Sequence, residues 1–248
     1  MLWPKLLFAV LSCVTLMGAQ SLPAGTALPV EVGSSLNGKS SKPGQAIQGK
    51  LMQEVRLSSG ATLKKGSRVT GHVISTKKPG AGGSSLVLQF DQLQDEKQKI
   101  ALNVAVRALA SSTNVFNAGL PAGPSSTAEF SGAWVTQQVG GEFVFRGRGY
   151  VTSNEGKVGT WSGTGVWGKL QPAGDCPASD SNGVEQALWI FSTTACGTYG
   201  LEDVKLTHAG GSAPVGQVTL ESAKDVEIRG GSGWLLLANG ASAGASSK

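Results

Sequence analysis

The chain has 248 residues, of which 15% are charged, 40% are apolar and 36 are glycine, with a formal net charge of +5. That much apolar material with so little charge excludes a disordered chain, and so much glycine argues against a mostly helical one. The many short apolar runs separated by Gly, Ser, Asn and Pro predict an all-β fold. The expected form is an antiparallel barrel-like or sandwich domain with a Gly/Trp-rich β section inserted in it or appended to it.

Residues 1–19 read as a signal peptide, to be set aside before the fold is considered. Lys5 supplies the positive charge, Leu6 to Met17 the apolar core, and Gly18-Ala19 the small residues at the cut. The apolar run is too short for a bilayer, which takes about 20 residues. A lipoprotein reading would use Val10-Leu11-Ser12-Cys13, but Leu11 fits it poorly and the apolar core would be halved. The mature chain is expected in the periplasm or outside the cell, or peripheral on the outer membrane. It keeps two cysteines, Cys176 and Cys196, which an oxidising compartment would pair.

Residues 20–110 read as a barrel-like amino-terminal part. Ala27 to Val32 is expected as an edge strand, because Pro29 lacks a ladder donor. Gln45 to Leu57 alternates as one long half-buried strand. The stretch Leu63 to Val73 reads as a basic glycine turn followed by a strand from about Arg68 to Ser75. Leu86, Leu88 and Phe90 alternate with polar neighbours, Gln94 to Gln98 makes a turn, and Ile100, Leu102, Val104 and Val106 line the return strand. Three places put glycine and a small hydroxyl residue directly before an apolar run: Gly25-Thr26, Gly66-Ser67 and Gly231-Ser232.

Residues 111–126, rich in Ser, Asn, Gly and Pro, read as a linker or crossing loop. Residues 127–199 form the Gly/Trp-rich section with the cysteine pair. A hairpin centred on Ser153-Asn154-Glu155-Gly156 would set Gly149 opposite Trp161, Gly165 opposite Phe145 and Phe143 opposite Trp167. Val184 to Ser192 reads as a strand, against a helix capped by Asn182. Residues 200–238 supply strands that complete the barrel, and 239–248 a small-residue tail expected to be disordered.

Motifs for chemistry are scarce. There is no Gly-x-Ser-x-Gly elbow and no phosphate-binding loop. His72 and His208 are the only histidines, too few for a usual zinc site. Carboxylates are plentiful, but no spacing picks out a glycosidase pair. Asp180 to Gly183 reads as a turn, lacking the remaining calcium ligands. No cofactor is expected.

Charge is uneven. Between Gly33 and Gly80 nine basic residues stand against one acid, Glu54. Lys64, Lys65, Arg68, Lys77 and Lys78 are therefore candidates for binding a polyanion, against a plain solvated face that guards strand edges. Nucleic acid is not expected as a partner of an exported chain without an RNA-binding aromatic motif. Trp161 and Trp167 are candidates for stacking on a sugar, against service as core filler.

Gly25-Thr26, Pro43 to Gly49 and Lys65 to Gly71, with Arg229 to Leu237 at the end, resemble the periplasmic β-barrel of TrbI-type conjugation and type IV secretion channel proteins. The resemblance covers about 22–110 and 200–238 and implies a barrel fold and an envelope setting. Leu63-Lys64 stands where that family commonly has an apolar residue and proline, and the aromatic section has no counterpart. A role in secretion does not carry over. The expected function is that of a non-enzymatic, exported binding or scaffolding module, with envelope proteins or anionic envelope polymers as partners. The alternative is a secreted glycan-binding or glycan-cleaving β protein.

Overall fold

A computed structural model describes residues 21–96, 98–121, 123–124, 133–178, 183–207 and 216–240. Residues 1–19, His208 and the Asp180–Asn182 stretch, all considered above, lie outside the described residues, as does 241–248 of the tail.

In chain order the first part holds β1 (Ala27–Val32), β2 (Leu36–Asn37), β3 (Ala46–Leu51), β4 (Val55–Arg56), β5 (Thr62–Leu63), β6 (Arg68–Lys77), β7 (Ser84–Asp95), β8 (Gln98–Ala101) and β9 (Val104–Ala110). Helix α1 (Ser112–Gly119) follows, then β10 (Gly123–Pro124), β11 (Trp134–Gln137), β12 (Phe143–Phe145), β13 (Tyr150–Ser153), β14 (Gly156–Ser162), β15 (Gly165–Gly168) and β16 (Gln186–Ala187). The chain ends with β17 (Gly197–Tyr199), β18 (Val204–Thr207), β19 (Gln217–Ser222), β20 (Glu227–Ile228) and β21 (Ser232–Ala238).

The main sheet runs β17-β9-β21-β1-β3-β6-β7-β19-β18, with β8 also on β7. Its ladders are antiparallel except β17 on β9. The two ends of this order, β17 and β18, are consecutive in the chain, and Thr198 Oγ1 donates to Val204 O at 2.9 Å. The sheet is thus a nearly closed, mixed barrel. Strands β10 to β16 form a separate sheet in simple sequence order. It is an insertion between β9 and β17.

One turn starts four adjacent barrel strands. The amide of Thr26 bonds Pro23 O, Gln45 bonds Lys42 O, Ser67 bonds Lys64 O and Ser232 bonds Arg229 O, at 3.0–3.2 Å. The third residue of each is a glycine with φ between +77° and +87°: Gly25, Gly44, Gly66 and Gly231. A β-turn with positive φ at its third position requires glycine or pays in strain. Thr26 Oγ1 and Ser67 Oγ also bond the first carbonyl of their turns, each at 2.7 Å. Glycine plus hydroxyl before an apolar run is therefore a strand-starting device of β1, β6 and β21, and Gly44 starts β3 in the same way.

The barrel core contains Leu28, Val30, Ile47, Val69, Leu88, Phe90, Val106, Trp234 and Leu236. Phe90 and Trp234 meet edge to face, their centroids 5.5 Å apart. The second cluster lies outside the barrel wall. There Ala27, Ala108, Ala110, Leu235 and Leu237 pack against Val144, Val151, Val166, Ile190 and Phe191 of the insertion. This is why β9 and β21 are buried along their whole length and read as continuous apolar runs, whereas β7 alternates.

Several expectations are corrected. Strand β1 is not an edge; it pairs with both β21 and β3. Pro29 is tolerated because the β3 ladder begins only at Val30. Gln45 to Leu57 is not one strand. The chain bends at Met52 and Gln53, both buried, because they belong to the seam with the insertion. Ile100 to Val106 is not one return strand, since β8 stays on β7 while β9 leaves to join β21. The stretch 111–126 holds α1, started by Ser111, whose side chain accepts from the Asn114 amide at 3.2 Å; this is an N-cap. Of Val184 to Ser192 only Gln186–Ala187 is strand.

The hairpin on Ser153–Gly156 exists, and the Trp161 amide bonds Gly149 O at 3.1 Å. Phe143 does not face Trp167, nor Gly165 Phe145. Further turns fold the section into a meander, so that Phe143 opposes Thr152 and Trp167 opposes Thr160.

Candidate functional site

Lys64, Lys65 and Arg68 line one open surface hollow of about 360 Å³ together with Gln94, Asp95 and Glu96, whereas Lys77 and Lys78 lie at the other end of β6. Lys64 pairs with Glu96, and that contact raises its pKa, with help from Asp95. Asp95 itself accepts from the Lys64 amide at 3.1 Å and from Ser67 Oγ. Lys65 Nζ lies 5.0 Å from the centre of the Trp189 ring. Lys77 Nζ donates to Gly82 O at 2.8 Å. Arg68 and Lys78 are exposed. Acids distant in sequence thus sit among these cations, and Lys65 serves the seam between barrel and insertion.

The tryptophans serve that seam too. Trp167 is buried, and the Arg56 guanidinium lies 4.1 Å from its ring centre. A sugar therefore has no open face of Trp167 to stack on, which corrects that expectation. Trp161 is partly buried against the second cluster. Gln53 completes the seam: its side-chain amide donates to Val166 O at 3.1 Å and accepts from Val166 N at 3.2 Å. From the other side, Gln186 Oε1 accepts from Ala27 N at 2.9 Å.

Cys176 and Cys196 form a disulfide, with Cα atoms 5.9 Å apart. Beside it lies Arg107, fully buried. It stands at a register shift where Leu235 opposes Ala108 and Leu236 opposes Val106, the geometry of a bulge that re-aims a side chain. Its Nε donates to Ala195 O at 3.0 Å, Nη2 to Gln171 O at 2.5 Å, and Nη1 to Pro177 O. Burial lowers its pKa. A single cation in the apolar run Val104–Ala110 is the one sequence signal that marks it.

The insertion also carries a groove of about 1010 Å³. The β13–β14 turn (Ser153, Glu155) with the start of β14 (Lys157, Thr160) forms one wall and the β11–β12 turn (Gly140, Gly141) another; Lys169, Glu185 and Thr194 also line it. Buried Glu142 underlies it. The Glu142 carboxylate accepts from Thr193 N at 2.8 Å and from Thr193 Oγ1, while Thr193 O accepts from Gln171 N at 2.9 Å. Thr193 thereby ties two sides of the groove together. Burial pushes the Glu142 carboxyl above its ordinary range, against the opposing effect of the Thr193 bonds.

No family model, curated protein or solved structure matches this chain. The reading of the groove rests on its own chemistry.

That chemistry is polar and mixed in sign. Lys157, Lys169, Glu155 and Glu185 line the groove together with glycine backbone and threonine and serine hydroxyls. Among the described residues no three His, Cys, Asp or Glu side chains gather as a metal site. His72 is not isolated: its Nδ1 lies 2.7 Å from Asp91 Oδ2 on the barrel surface, both half-exposed. No helix among the described residues is long and apolar enough to cross a membrane. Nothing in the sequence pattern points to the groove, because its lining is drawn from several separate turns and loops between Gly140 and Thr194.

Proposed function

We propose that this chain is an exported, non-catalytic binding module of the cell envelope, and that the groove of its insertion holds a neutral, hydroxyl-rich polymer such as a glycan strand. The groove itself carries this reading. It is open, lined by glycine backbone, hydroxyls and charges of both signs, and suited to many weak polar contacts more than to a polyanion. The barrel supplies the support, through Arg107, Gln53 and the apolar seam. The envelope setting is supported by the signal-like residues 1–19, the disulfide and the resemblance of the barrel motifs.

Titration calorimetry with soluble cell-wall fragments and neutral oligosaccharides tests this. Binding is expected for the parent chain and is expected to be lost in Thr160→Trp and Thr194→Trp, which fill the groove. No binding to any of these polymers, or binding indifferent to groove filling in folded variants, would overturn it.

One observation favours a second reading, glycan cleavage. Glu142, Glu155 and Glu185 line one groove, and a raised carboxyl is what a general acid requires. Against it, both Glu142 oxygens are held by Thr193. Release of new reducing ends by the parent chain but not by a folded Glu142→Gln variant would replace binding by hydrolysis.

A further inference from the structure

A small cavity lies between α1, the β11–β12 hairpin and the corner at Trp189. Ala118, Thr136, Gln138, Val144, Arg146, Trp161, Val166, Trp189 and Ile190 line it, and the space open to a water-sized sphere is about 10 Å³. That is room for a single water molecule. Three of the lining side chains present buried polar atoms with no protein partner: Thr136 Oγ1, Gln138 Oε1 and Arg146 Nε.

Their convergence follows from the strand pairing. Thr136 opposes Val144, the Gln138 amide bonds Glu142 O, and the Arg146 amide bonds Trp134 O. All three side chains therefore leave the same face of the hairpin. Thr136 and Gln138 are 1% and 4% exposed. The direction of the Gln138 amide is set by its other end. Nε2 donates to Trp189 O at 2.5 Å and Phe191 O at 2.7 Å, so Oε1 must be the atom turned to the cavity. Arg146 is likewise held by its Nη2, which donates to Gly119 O at 3.2 Å.

An unpaired buried polar atom is costly, and a native fold rarely leaves three together. We infer that this cavity is an internal hydration site. One water accepts from Arg146 Nε, donates to Gln138 Oε1 and completes its set with Thr136 Oγ1, giving the three bonds usual for a buried water. A small anion would meet the arginine but would face the lone pairs of Gln138 Oε1. The water links α1, through Arg146, to the Trp189 corner, through Gln138. Trp189 holds φ +54° there, a conformation unusual for a bulky residue, and its ring receives Lys65.

A crystal structure of the chain at a resolution that orders solvent is expected to contain one water within hydrogen-bond distance of Arg146 Nε and Gln138 Oε1. In solution, the Arg146 Nε proton is expected to show a nuclear Overhauser cross-peak to a long-lived water. Thr136→Ile, which fills the cavity, is expected to lose that cross-peak. A dry cavity, an anion in it, direct bonding among the three atoms, or a cross-peak that survives in Thr136→Ile overturns the inference. The measurements on the parent chain decide the matter if that variant does not fold.

Discussion

Replacing Arg107 by Met tests whether the barrel and the disulfide loop are held together by one buried cation. The aliphatic part of the side chain is kept, so the cavity left behind is small. Three carbonyls, Ala195, Gln171 and Pro177, lose their donor. Each is expected to cost about 1–3 kcal/mol if water does not reach it. Against this stands relief from burying a guanidinium, worth several kcal/mol. The net loss expected is about 3 kcal/mol. At roughly 2–4 °C per kcal/mol for a chain of this size, the melting temperature should fall by about 6–12 °C. Arg107→Lys, which cannot form the same three-pronged fork, should fall between. Calorimetric or circular-dichroism melts of the oxidised protein read the effect directly. A variant that melts with the parent, or above it, would refute the reasoning, since the desolvation penalty would then outweigh the three bonds.

The same loops carry the disulfide, closed over a separation of 20 residues, so Cys176→Ser with Cys196→Ser should cost about 3 kcal/mol; combined with Arg107→Met the losses should fall short of their sum, as a double-mutant cycle would measure. Glu142 gives a pH dependence. Its carboxyl is raised in the folded chain above the ordinary 4.5, so the folded form holds the proton more tightly than the unfolded one. The stabilisation is complete below the ordinary value and is lost as pH rises through the folded pKa. Denaturant titrations of Glu142→Gln should lack that component; an unchanged pH profile would remove Glu142 from the account. Gly66→Ala meets no atom within 4 Å but keeps φ +87°, so only backbone strain acts, and a loss of about 1–2 kcal/mol is expected in equilibrium unfolding.

The sequence made the barrel legible where one local cause determines structure. Positive-φ glycines before β1, β6 and β21 are needed for backbone geometry alone, and the alternation of β7 reflects one buried face. Glycine misled where two causes give the same residue. In the insertion, Gly149 and Gly165 read as strand glycines covered by aromatics, yet they stand at the ends of the turns that divide two long strands into four short ones. Charge patterning shows only part of its surroundings in the sequence. The cations from Lys39 to Lys78 cluster in sequence, and the fold adds acids the sequence keeps distant: ladder pairing sets Glu31 beside Lys50, and the end of β7 sets Glu96 beside Lys64.

The stretch around Lys64 and Gly66 shows how local and long-range causes combine. Gly66 serves the turn, and its amide bonds Leu51 O at 2.9 Å. The side chains on either side of that bend face the insertion: Gln53 bonds Val166, Arg56 covers Trp167 and Lys65 covers Trp189. A polar contact between sheets costs desolvation, so it persists where geometry lets each donor and acceptor be met. Here both polar ends of Gln53 are met by one residue, and the cations meet aromatic faces that cannot be over-bonded. The basic turn that looks like a ligand site in the sequence thus helps hold the insertion on the barrel. The groove lies on the insertion, away from this turn, so substitutions at Lys65 or Arg56 should act on stability first, and on binding only through it.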